Sequence, residues 1–286
     1  MPLASTSSIV ARAHRGGIGA AAVNVVTFEQ AEAVIEAAEL EKLPTIIQVS
    51  ERCLVFHGAR ARPFLAAITE LAHASSTDVS VHLDHIETRA WLDNGVGTGV
   101  SSAMVDASRS GFAENVAFVA DAAAWCHDNG WHVEAELGAI GGKNGAHAPG
   151  VRTDPREAAE FVAATSADSL AVAVGSSHAM RSADATLDFD LIARLREAVP
   201  VPLVLHGSSG VQLGDLRRAI AAGITKVNVG TLVASAYTDA IRRRLADSDS
   251  PDPRRYLADA RARVSETTRG ILRAVALREE ARAHGQ

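Results

Sequence analysis

Asp84 and His85 follow directly on an apolar alternation, Val79-Ser80-Val81-His82-Leu83, and set a carboxylate beside an imidazole at a strand exit. Other groups capable of chemistry stand where other apolar runs stop: Asn24, Ser50, Asp106, Glu134 or Glu136, His178, His206 and Asn228. Three histidines near three different exits, His85, His178 and His206, can converge on one divalent metal. Three imidazoles with an open fourth position make a catalytic zinc site, and nearby carboxylates can orient the rings. The chain has 11 histidines, so the competing reading is that these are structural histidines satisfied in the core. His82 shares a strand face with Asp84 and can serve as its support.

Two further stretches suit an anion. Leu205-His206-Gly207-Ser208-Ser209-Gly210 and Val227-Asn228-Val229-Gly230-Thr231 pair glycines, which permit close approach, with hydroxyl donors. An ordinary turn is the plain alternative for the Gly-Ser-Ser-Gly loop. The glycine-rich stretch 138–150 reads either as a lid or as a solvated connector. Cys53 and Cys126 read as buried apolar fillers, and Arg242-Arg243-Arg244 as a solvated helix face.

These groups need a frame that brings strand exits together. Short apolar runs at 20–26, 45–50, 79–85, 101–106, 131–137, 169–174, 202–206 and 226–229 predict eight strands. Helical patterns at 28–42, 62–74, 87–93, 114–129, 155–165, 190–198 and 213–222 lie between them. Asp154 is placed to cap the helix at 155, and Gly223 to end the one at 222. Alternating β and α units of this number in under 300 residues predict an α/β fold, the (β/α)8 TIM barrel. Active sites of such barrels sit at the C-terminal ends of the strands, and phosphate sites after strands seven and eight. A doubly wound sheet is the runner-up, but no strand leads into G-x-G-x-x-G. The expectation is one domain over 1–286, with extra C-terminal helices from about 237. A polar breaker at 247–253 divides this tail, leaving a second helix over 254–283.

The bulk composition narrows the class. Hydrophobic residues make up 47% and charged residues 22%, enough apolar material for a sizeable core. A net charge of −6 gives no electrostatic footprint for nucleic acid or an anionic membrane. No apolar run reaches the length of a membrane span, and the first residues lack a basic segment followed by an apolar one. Two cysteines exclude a disulfide framework, so the expected compartment is the cytoplasm.

At these residues the chain resembles the class II, metal-dependent ketose-bisphosphate aldolases, the fructose- and tagatose-bisphosphate type. The matching stretches include Gln48-Val49-Ser50, His82-Leu83-Asp84-His85, Ser102-Ala103-Met104-Val105-Asp106, Glu134-Ala135-Glu136-Leu137-Gly138, Leu205-His206-Gly207 and Lys226-Val227-Asn228-Val229. They run in the family's order over most of the chain. The resemblance implies that His85, His178 and His206 hold a catalytic Zn2+ and that Asp84 moves the proton at the C4 hydroxyl. Glu136 and Asp106 correspond to carboxylates that can hold the metal in an inward position. Asn24, Ser50, Gly207, Ser208, Ser209, Asn228 and Thr231 would bind the substrate, with a monovalent cation (Na+ or K+) often near its phosphate. The implied reaction is reversible cleavage of a phosphorylated ketose to dihydroxyacetone phosphate and an aldehyde. A homodimer or homotetramer is the implied assembly.

The sequence departs from the family pattern in three places. Lys143-Asn144-Gly145 follows the lid glycines where an acidic residue is usual, Ala179 stands after the second metal histidine in place of glycine, and Val26-Thr27 replaces polar residues near the first strand. These changes point to a divergent member with altered substrate or slower chemistry. They also motivate a second reading, a barrel that binds a sugar phosphate or a partner subunit without efficient catalysis. A third is another metal-dependent lyase for a non-phosphorylated or differently substituted sugar acid.

Overall fold

Eight parallel strands close into a barrel in sequence order, and the last pairs with the first. They are β1 (Ala20–Asn24), β2 (Thr45–Ser50), β3 (Val79–Ile86), β4 (Ser102–Val105), β5 (His132–Glu136), β6 (Ser169–Val172), β7 (Leu203–Leu205) and β8 (Ile224–Val229). The computed structural model describes residues 3–137, 152–176 and 185–278. The expected lid at 138–150, Ala179 and His178 lie outside the described residues.

The alternation along each strand explains both faces of the barrel wall. Val79, Val81 and Leu83 on β3, and Val133 and Ala135 on β5, join the apolar core between barrel and helices. The residues between them, among them His82 and Glu134, are buried inside the barrel. The register aligns Gln48 with His82, His82 with Ser102 and Ser102 with His132. Barrel interiors are usually filled by branched aliphatic side chains. This one is largely polar.

The helices are α1 (Thr6–Gly16), α2 (Phe28–Glu41), α3 (Glu51–His57), α4 (Ala61–Ala74), α5 (Phe112–Asp128), α6 (Pro155–Thr165), α7 (Phe189–Ala198), α8 (Leu213–Ala222), α9 (Thr231–Asp247) and α10 (Pro253–Val275). Asp154 caps α6 through two backbone N–H groups, and Gly223 ends α8, as their types require. Thr27 caps α2 in a reciprocal capping box with Gln30, which accounts for one of the residues that depart from the family pattern.

The sequence pattern predicts no helix where α3 lies, and the helix expected at 87–93 is a 3-10 helix over Arg89–Gly95; three further elements also differ from the sequence expectation. The Ser-rich start forms α1, whose Ile9, Val10 and Ala13 cover Ala20, Ala22 and Ile46 at the base of the barrel. Its Thr6 hydroxyl joins Ser80 and Ser102 there at 3.0 and 2.6 Å, so hydroxyls from the start of the chain and two strands plug the barrel. The helix after β8 begins at Thr231 rather than near 237, because it is the barrel's own eighth helix, and α10 is the addition. α10 stops at Val275 rather than running on to 283, where Ala276 caps it and Leu277 turns left-handed (φ 55°). Arg269 and Arg273 of α10 clamp Glu41 of α2 at 2.6 Å each, and buried Ile271 and Leu272 anchor the helix.

Candidate active site

Asp84 and His85 open the site because β3 is irregular at this point. The β3–β4 register slips between Leu83 and Ile86, and His85 takes a left-handed φ of 49°. A regular strand would send consecutive side chains to opposite faces, whereas the bulge lets both line the same cavity. A non-glycine residue with positive φ is strained, and such strain concentrates at functional positions.

The cavity encloses about 520 Å³ at the C-terminal mouth of the barrel. Besides Asp84 and His85 it is lined by Asn24, Ser50, Gly207, Ser208, Ser209, Asn228 and Thr231, all of them residues singled out in the sequence. Gly207 takes φ 63° after β7, a conformation that glycine adopts without steric cost. The short turn that follows leaves the Ser208 hydroxyl donating to the Asn228 carbonyl at 2.6 Å, which ties the β7 and β8 loops together. Gly230 and Thr231 place the first turn of α9 at the same wall.

Ligand atoms of His85, Glu136 and His206 lie within 4.8 Å of one another. His206 is fully buried on the exit of β7, with Nδ1 3.0 Å from Glu136 Oε2 and Nε2 2.9 Å from Glu134 Oε1. Burial opposes its charged form most strongly, yet hydrogen bonds and charge from Glu134 and Glu136 prevail and raise its pKa to about 9. His85 Nδ1 lies 2.6 Å from Asp106 Oδ2, and the other Asp106 oxygen accepts from Ser108 N and Oγ. Each imidazole thus has a carboxylate behind it, the arrangement that fixes a metal-binding histidine's tautomer and orientation. Two imidazoles and a carboxylate are a donor set suited to zinc or another borderline divalent ion. The residues fit a metal. The structure puts Asp106 against the far side of His85, so its described contact is to the histidine rather than to the three-residue cluster.

Asp84 is buried, and Asn24 Nδ2 donates to its Oδ2 at 2.7 Å. Its Oδ1 has no hydrogen-bond partner among the described residues. Burial alone would raise its pKa, but the neighbouring His85, His206 and His82, with the Asn24 bond, hold it below the ordinary carboxylate value. The result is an ionised carboxylate with an uncommitted oxygen in the cavity wall.

Beneath the mouth lies a network not foreseen in the sequence. The fully buried Lys226 Nζ donates to Gln48 Oε1, Glu134 Oε2 and Asn228 Oδ1 at 2.7, 2.7 and 2.6 Å. Burial works against a charged Glu134, but Lys226 and His206 hold its pKa well below the ordinary value. The alternation Lys226-Val227-Asn228-Val229 carried the signal, since a strand covered by helices must turn its polar face inward. Cys53 and Cys126 are buried, and burial pushes both thiols up to about 12, which suits inert core positions.

A parallel eight-stranded barrel with its carboxylates and imidazoles gathered at the strand exits defines a TIM-barrel enzyme of the metal-assisted kind. Residues 4–279 match the model of the class II fructose-bisphosphate aldolase family, and the chain belongs to that family and is an aldolase. The YdjI aldolase of Escherichia coli K12 is similar at 32% identity, with 96% of this chain and 97% of that one covered at a TM-score of 0.84. A putative fructose-1,6-bisphosphate aldolase of Coccidioides immitis is similar at 26% identity, with 94% and 95% covered and a TM-score of 0.85. The fructose-bisphosphate aldolase of Campylobacter jejuni shares the fold at 23% identity, with 96% and 95% covered and a TM-score of 0.80.

Proposed function

We propose that the protein is a zinc-dependent aldolase that cleaves a phosphorylated ketose, of the fructose- or tagatose-bisphosphate type, reversibly to dihydroxyacetone phosphate and an aldehyde. The observation that carries this reading is the uncommitted Asp84 Oδ1 in the same cavity wall as His85, next to the cluster His85, Glu136 and His206. His85 and His206 would hold the ion, with His178 as the third imidazole that the family resemblance implies. Glu136 and Asp106 remain the proposed carboxylates of the inward metal position. When bound, the ion supplies Lewis acidity that stabilises the negative charge left on the three-carbon fragment as C3–C4 breaks.

Asp84 takes the proton from the C4 hydroxyl during cleavage and returns it in condensation. Asn24 keeps the carboxylate aimed by holding its second oxygen. Ser209, Thr231 and the backbone N–H groups after Gly207 and at the start of α9 receive the phosphate, with Ser50 and Asn228 completing the wall. A monovalent cation beside this cradle, a homodimer or homotetramer, and a cytoplasmic location belong to the same reading and rest on the resemblance. No helix among the described residues is long and apolar enough to cross a membrane.

The test is metal content of the purified protein together with retro-aldol assays on fructose and tagatose bisphosphates. Bound zinc, loss of activity with a chelator, and a fall of about 10²–10⁴-fold in Asp84→Ala with metal retained are expected. Cleavage by fully metal-free protein would sink the reading.

A further inference from the structure

The cavity has a second rim, opposite the phosphate cradle. In the strand order β3 is four steps from β7 in either direction, so the loop with Ser208 and Ser209 faces the exits of β2, β3 and β4. With the phosphate end of a ketose in the cradle and the scissile bond at Asp84, the rest of the substrate must run toward this far rim. That placement rests on the aldolase reading above.

Four charged side chains of the far rim line the cavity: Glu51, Arg52, Glu87 and Arg109. Three of them are already committed. Glu51 Oε2 accepts from the backbone N–H groups of Glu87 and Thr88 at 2.7 and 2.9 Å, which pins the segment after β3. Glu87 and Arg109 lie 3.7 Å apart and offset one another. Arg52 is exposed and has no hydrogen-bond or ion-pair partner among the described residues. Val55, three residues on along α3, lines the cavity too, so this helix turns one face toward the mouth, an apolar group beside a cation.

A guanidinium is permanently charged, and its planar fork matches a carboxylate or phosphate with two parallel hydrogen bonds. We propose that Arg52 binds an anionic group, phosphate or carboxylate, at the end of the substrate remote from the cradle. The aldehyde released by cleavage is then itself an anion, and Arg52 sets the preference for it.

Condensation of dihydroxyacetone phosphate with glyceraldehyde 3-phosphate, succinic semialdehyde and uncharged glyceraldehyde, by the metal-loaded enzyme, tests this. In Arg52→Ala the preference in kcat/KM for an anionic over the neutral aldehyde should fall by roughly ten- to a hundredfold, mainly through KM, with partial recovery in Arg52→Lys. The anionic aldehyde that loses more identifies the group as phosphate or carboxylate. An unchanged preference, or an equal loss for all three aldehydes, overturns the proposal. Should the wild type turn over none of them, the dihydroxyacetone phosphate reading fails, and calorimetric titration with 3-phosphoglycerate decides the rim. Binding at least tenfold weaker in Arg52→Ala upholds it, and equal affinity overturns it.

Discussion

Lys226 Nζ lies 2.7 Å from Glu134 Oε2, and both side chains are fully buried inside the barrel. Glu134 in turn meets His206 Nε2, so the pair supports the histidine from below. Removing one partner of a buried pair leaves an uncompensated charge, which costs about 3–5 kcal/mol. Lys226→Met is therefore expected to lower stability by that order in urea unfolding. The double variant with Glu134→Gln should recover part of the loss, because the stranded carboxylate is gone.

Asp106 acts on His85 through the 2.6 Å contact at Nδ1. Loss of such an outer partner typically lowers metal affinity by about 10–100-fold. Asp106→Asn should show that loss in zinc competition with a chelator, while its far-ultraviolet spectrum stays that of the wild type. Unaltered affinity would remove Asp106 from the support of the site.

The metal-free protein should be most stable near pH 6.5, the ordinary histidine value, about which the buried His82 and His132 act in one direction and His206 in the other. Burial, aided by Lys226, depresses the pKa of His82 to about 3, so between that value and about 6.5 only the unfolded chain takes up the proton. Stability is lost there as pH falls. His206 is raised to about 9, so its contribution is complete below about 6.5 and is lost as pH rises through about 9. Urea midpoints measured from pH 5 to 9 should fall on both sides, and His82→Asn should flatten the acid limb.

The C-terminal helix is tied to the barrel by Glu41, which is 9% exposed and is gripped by Arg269 and Arg273. The Arg273 hydrogen bond, assisted by Arg269, lowers its pKa against the effect of burial. A partly exposed pair of this kind contributes about 1 kcal/mol. Arg273→Ala should lower the urea midpoint accordingly, with the loss shrinking as pH falls through the carboxylate range and in high salt.

The sequence by itself determined the alternation of strands and helices, because covered strands need apolar outer faces and each exit is marked by a polar residue. It also determined which residues stand at or just beyond the strand exits, and Asn24, Ser50, Asp84, His85, Ser209 and Thr231 do share one cavity. The family's motifs, being short and ordered along the chain, were legible in the same way.

Three features were settled only by tertiary structure. The bulge at Asp84 and His85 depends on the β3–β4 pairing, a long-range register that local pattern does not encode. The Lys226, Glu134 and Gln48 network joins strands up to 178 residues apart, and no local pattern pairs its members. The plug formed by α1 is hidden for the opposite reason. Its Thr6 hydroxyl carries no periodic apolar signal and gains a buried role only when barrel closure brings Ser80 and Ser102, distant in sequence, to it.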